Sequence, residues 1–197
     1  MKLIPLFLLV GMFAVSGWAK EEVTYSPELV KKADAGDTDA QIKLGRCYYL
    51  GLGVTQDRKE SVKWCLRAAE QGNATAQHSL GRCYLLGQGV AKDYKEAFKW
   101  WTKAAEQEFV PAQHDLGNCY YNGDGVTQDY KEAIKWYSKA AEKEYAASQY
   151  NLGECYFYGT GVTKDSTKAI EWYTKAAKQG YLEAVVALKV IKKSESK

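Results

Sequence analysis

Histidine is nearly missing from this chain: its 197 residues hold two, His78 and His114. No serine, cysteine or carboxylate recurs beside both, so an imidazole base or imidazole–metal pair has little to build on. Asp115 follows His114, but neighbours in sequence point to different sides of a helix. No Cys-x-x-Cys pair occurs, which removes a common signature of bound metal. The one Ser-x-x-Lys string, Ser194 to Lys197, lies in a polar tail and cannot form a buried nucleophile. No catalytic residue, metal ligand or cofactor is expected. Excess charge is also scarce: 27 Lys and Arg against 24 Asp and Glu leave a net +3, with the two signs interspersed. Without a basic stripe, a nucleic-acid partner is not expected. Hydrophobic residues at 46% and charged ones at 26% exclude a disordered chain.

Long apolar runs are confined to the start. Met1-Lys2 is positive, Leu3 to Val15 is uncharged and mostly apolar, and Gly17-Trp18-Ala19 supplies small residues at cleavage spacing. This is the layout of a secretory signal peptide, residues 1–19, cut after Ala19. The alternative is an uncleaved anchor, but the 17 residues from Leu3 to Ala19 sit at the bottom of the spanning range. Pro5, Gly11 and Gly17 weaken it further. No Cys follows the run to accept a lipid. The mature chain is expected in the periplasm or outside the cell, with no stable membrane insertion.

What the sequence does have is a repeat. Leu-Gly recurs at Leu44, Leu80, Leu116 and Leu152, each 36 residues after the last. Cys47, Cys83, Cys119 and Cys155 keep that step, as do Asp57, Asp93, Asp129 and Asp165, and Trp64, Trp100, Trp136 and Trp172. Within a copy, Ala76, Leu80, Cys83 and Tyr84 follow helical spacing. Gly87 and Gly89 end that helix. Asp93 opens a second one as its N-cap, with Glu96 placed to reach back to it; Lys168 removes that contact in the last copy. Ala97, Trp100, Trp101, Ala104 and Ala105 form the apolar stripe of the second helix. The spacing predicts repeats at 37–72, 73–108, 109–144 and 145–180. A capping half-repeat precedes them at 20–36, and a capping helix with a polar tail follows at 181–197. One helix pair cannot bury both faces, so the pairs must stack.

The copies resemble Sel-1-like repeats, relatives of the tetratricopeptide repeats. The resemblance rests on Ala76, Gln77, Leu80, Gly81 and Tyr84; on Gly87, Gly89, Val90 and Asp93; and on Lys95, Ala97, Trp100, Ala104 and Ala105. It implies an all-α fold, a right-handed α-solenoid of stacked helix–loop–helix repeats. It also implies an adaptor role, often in bacterial signalling, envelope regulation or host contact. Some family members carry a β-lactamase label, which makes a periplasmic or penicillin-binding-type enzyme the alternative, though no residue pattern supports it. Glu108 and Glu144 depart from the pattern where Gly72 and Gly180 stand, so those turns are expected to close differently.

The recurring cysteines read as small buried residues. Stacked helices lie about 8–10 Å apart, too far for bridges between equivalent cysteines of neighbouring repeats. Cys65, standing where other copies have Trp101, Tyr137 and Tyr173, is within reach of Cys47 across its own helix pair, so Cys47 and Cys65 form the candidate disulfide. The recurring Trp residues read as helix packing. Positions that differ among copies are free to specify a partner. In the first helix these include Ile42, His78, His114 and Tyr150; Arg46, Arg82, Asn118 and Glu154; and Tyr49, Leu85, Tyr121 and Phe157. Offsets of three and four place them on one face, expected to be concave. Its aromatic and Arg content suits a protein or peptide partner. The drift from Arg46 and Arg82 to Glu154 would orient a bound segment. The chain itself is expected to be monomeric.

Overall fold

The computed structural model describes residues 23–195; the expected signal segment lies outside the described residues. These residues form ten α-helices and no strand: α1 Pro27–Asp34, α2 Thr38–Leu50, α3 Arg58–Glu70, α4 Ala74–Leu86, α5 Tyr94–Glu106, α6 Val110–Asn122, α7 Tyr130–Glu142, α8 Ala146–Tyr158, α9 Ser166–Lys178 and α10 Leu182–Glu195. Each helix packs mainly on its neighbours in the chain. The result is an α-solenoid of helix hairpins, α2–α3, α4–α5, α6–α7 and α8–α9, flanked by the single helices α1 and α10.

Local chemistry sets each hairpin. The first helix ends on a left-handed glycine, at Gly51, Gly87, Gly123 and Gly159. An aspartate then caps the second helix. Asp57, Asp93 and Asp129 each accept from two backbone N–H groups, whereas Asp165 accepts from Lys168 N alone. The expected reciprocal contact from the glutamate is not made. The aspartate N–H donates instead to the carbonyl of Tyr48, Tyr84, Tyr120 or Tyr156. Glu60, Glu96 and Glu132 then pair with Lys63, Lys99 and Lys135 one turn on. The first-helix carbonyl outcompetes the side chain.

The turns between hairpins correct a second expectation. Glu108 and Glu144 adopt φ of 59° and 60°, the same left-handed turn that Gly36, Gly72 and Gly180 make. A residue with a Cβ is strained there by about 1 kcal/mol. The helices that follow these two turns also lack a side-chain cap: Phe109 and Tyr145 stand where Asp37 and Asn73 each accept a backbone N–H.

Leu44, Leu80, Leu116 and Leu152 are fully buried, each contributing about 1.5–3 kcal/mol by leaving water. The glycine after each leucine permits the closest contact inside the hairpin. A Cβ on Gly81, Gly117 or Gly153 would overlap the ring of Trp101, Tyr137 or Tyr173. On α10 the corresponding position is Lys189, which is exposed.

A buried glutamine ties the hairpins together. Gln41, Gln77 and Gln149 donate through Nε2 to Ala33, Ala69 and Ala141 carbonyls of the preceding unit, at 3.1, 3.1 and 3.2 Å. Their Oε1 atoms accept from Gln71, Gln107 and Gln179, each at 2.8 Å. In the third repeat Lys143 occupies the donor's place, and the buried Gln113 Oε1 has no partner.

Candidate interaction face

The first helices α2, α4, α6 and α8 carry the variable rows, and neighbouring repeats cover part of them. Ile42 is buried in a cluster with Val62, Leu80 and Trp100. Tyr49 is buried too; its hydroxyl donates to Gln88 Oε1 at 3.0 Å while Arg58 lies over its ring. Both join repeat 1 to repeat 2, so they are packing residues rather than open contact points. Arg46, Arg82 and Leu85 are half-buried, Leu85 against the Trp101 cluster.

Along α4, α6 and α8 the variable residues bond to one another across the repeats. His78 Nε2 lies 2.8 Å from Asp115 Oδ2, with its ring against Phe109. His114 sits between the rings of Tyr137 and Tyr145, with Nδ1 2.9 Å from Ser148 Oγ and Nε2 3.1 Å from Asn118 Nδ2. Asn118 Oδ1 accepts from the Tyr137 hydroxyl at 2.8 Å and from Asn151 Nδ2 at 3.3 Å. Tyr173 donates to Glu154 Oε1. Phe109 and Tyr145, at the two uncapped helix starts, and Tyr181, just before α10, pack their rings at a tilt against His78, His114 and Tyr150 of the preceding repeat. Stacking replaces capping in this half of the molecule.

Beyond this lattice the face opens. A hollow of about 260 Å³ is lined by Asn118, Tyr121, Tyr137, Tyr150, Asn151 and Glu154. A second, of about 480 Å³, lies between α8 and α10 over Tyr173, walled by Phe157, Tyr158, Leu182, Val186 and Val190. Tyr150 and Glu154 line both, so the two are contiguous. Burial, and then the Glu154 charge, push the Tyr150 phenol up to about 12. Leu182, Val186 and Val190 are 73%, 59% and 62% exposed, a bare aliphatic stripe at one-turn spacing.

Comparison with known proteins now bears on this geometry. A family model for the Sel1 repeat matches residues 38–73, 74–109, 110–145 and 146–181. The chain belongs to the Sel1 repeat family. Among solved structures it is similar to c5321, described as a protective antigen of uropathogenic Escherichia coli strains with an SLR fold: 42% identity, TM-score 0.78, covering 80% of this chain and 34% of that one. A Sel1 repeat protein from Oxalobacter formigenes is 37% identical with TM-score 0.74, covering 79% of this chain and 62% of that one. Helicobacter pylori cysteine rich protein B is 25% identical with TM-score 0.53 over 67% of this chain. The chain thus spans about a third of the first relative and under two thirds of the second. Comparison with curated proteins gave no significant match.

Within this Sel1 stack one serine–histidine contact resembles a catalytic pair, and its hydrogen bonds argue against that role. Tyr137 and Asn151 orient the Asn118 amide so that its Nδ2 donates to His114 Nε2. An amide held this way pairs with the neutral His114 tautomer that carries its proton on Nδ1, facing Ser148 Oγ. In this tautomer the ring cannot take a proton from the serine, and Ser148 is wholly buried. The cysteines are equally quiet. All five are free thiols, so the expected Cys47–Cys65 bridge is not formed. Cys65 turns away from its own hairpin: its Sγ donates to the Ala76 carbonyl of the next repeat at 3.3 Å and packs with Cys83. Burial pushes the thiols up, Cys83 and Cys155 to about 11 and Cys119 to about 12, which keeps them protonated and poorly nucleophilic. Among the described residues no cluster of three metal-ligating side chains occurs, and no helix is long and apolar enough to cross a membrane.

Of the variable first-helix residues, Tyr121, Tyr150, Glu154 and Phe157 line these hollows, whereas the far wall comes from outside that set. Leu182, Val186 and Val190 lie outside the four full copies. Their signal was apolar spacing at positions where the copies carry Ala146, Tyr150 and Glu154.

Proposed function

We propose that this chain is an exported protein-interaction scaffold that holds a peptide segment of its partner along the first-helix face, in the groove running from α6 past α8 to α10. The observation that carries the reading is the pair of contiguous hollows sharing Tyr150 and Glu154. Aromatic rings there stand on a rigid stack, and a bare aliphatic wall faces them, which is the make-up of an interface hot spot. The tautomer of His114 and the burial of Ser148 favour binding over hydrolysis. Export rests on the amino-terminal segment and is checked by sequencing the mature protein, which should begin at Lys20.

The groove is tested by affinity capture with the mature chain and with a variant carrying Tyr121→Ala, Phe157→Ala and Val186→Asp. Val186 is exposed, and Tyr121 and Phe157 pack only at the edges of their core clusters, so the helical circular-dichroism spectrum should be retained. Partner capture should fall at least about tenfold, the loss of a single hot-spot contact or more. Undiminished capture by a folded variant rejects the groove.

A further inference from the structure

We infer that the groove recognises a lysine or arginine side chain lying next to aliphatic residues of the bound peptide; this rests on the reading of the groove given above. The smaller hollow is a tyrosine-lined cage: Tyr121 and Tyr150 wall it over the buried Tyr137, Glu154 supplies one carboxylate, and Asn118 and Asn151 complete the rim. Ring faces carry negative charge density, and with a carboxylate beside them they attract a cation rather than an anion. No lysine, arginine or histidine lines either hollow, whereas Glu154 lines both and Glu183 stands on the rim of the larger. The charges lining the site are therefore acidic, although the whole chain carries net +3 and Lys164 lies over the Phe157 ring at 5.7 Å.

The cage volume of about 260 Å³ suits one side chain, not a folded element. The adjoining hollow differs in kind. Leu182, Val186, Val190 and Ile191 on α10 and Phe157 on α8 give it aliphatic and aromatic walls suited to neighbouring apolar residues of the same ligand. Because Glu154 sits where the hollows meet, the cation and the apolar anchors must be close together in the peptide. The Tyr173 hydroxyl fixes the carboxylate from the second helix, so the charge is already oriented before the ligand arrives.

The test uses the full chain and fluorescein-labelled nonapeptides of a single scaffold. Their central residue is lysine, norleucine or glutamate, with leucine and valine immediately on one side. Titration by anisotropy should show the lysine peptide binding at least about tenfold tighter than the norleucine peptide, with the glutamate peptide weakest. In Glu154→Gln the affinities of the lysine and norleucine peptides should converge. In the unaltered protein the lysine preference should shrink as salt rises from about 50 to 500 mM, a readout that does not depend on any variant folding. A lysine preference that survives Glu154→Gln, or norleucine and glutamate peptides binding as tightly as lysine, overturns this inference alone. Failure of every peptide to bind overturns it together with the groove on which it rests.

Discussion

Lys143 shows how one substitution leaves a fault in an otherwise regular stack. In the other repeats a glutamine at this place satisfies the buried acceptor of its hairpin, and here Gln113 Oε1 is left without a partner. Lys143 gains only an exposed contact to Glu108 at 3.7 Å, worth little in water. Lys143→Gln should therefore stabilise the protein by about 1 kcal/mol, read as a higher urea midpoint with an unchanged slope. His114 gives a second residue-level expectation. Burial lowers its pKa below 6.5, reinforced by His78 and opposed by Asp115. Its neutral form is the folded form, so its contribution is complete above about pH 6.5 and is lost as pH falls below that value. Stability should drop as pH falls below about 6.5, and His114→Gln should flatten that step. An equal step in the variant would assign it elsewhere.

At the scale of elements, the ten helices follow from features plainly visible in the chain: leucine and cysteine on one face, a glycine stop, an aspartate start. Four copies in phase made those assignments secure. Less legible was what each variable residue touches. Whether Ile42 or Tyr49 meets solvent depends on how the next hairpin seats against it, and a repeat compared only with itself carries no such information. Cys65 misled for the same reason. Its place on the second helix puts it within reach of Cys47, but its thiol turns to the next hairpin. The turns at Glu108 and Glu144 are not legible either, because the chain keeps the left-handed turn there without the glycine that marks it elsewhere. At the equivalent Gly36, Gly72 and Gly180 nothing lies near a would-be Cβ, so the strain is conformational rather than crowding. Glu108→Gly and Glu144→Gly should each raise stability, by up to about 1 kcal/mol in thermal or chemical melts.

On the whole-molecule scale the departures gather around one place. Both strained turns, both uncapped helix starts and the orphaned glutamine border or lie within the third repeat, α6 and α7. Native-state hydrogen exchange should find their amides opening before those of α4 and α5; the reverse order would show that the stacked rings more than compensate. This has a mechanical meaning. Hairpins that grip mainly their chain neighbours behave as springs in series, and under tension the softest one yields first. Pulling on the two ends should split the stack into an amino-terminal piece and a carboxyl-terminal piece before either unravels. The cage lined by α6, α7 and α8 would then come apart at the first rupture. A captured ligand would be released by force well before the scaffold itself is lost.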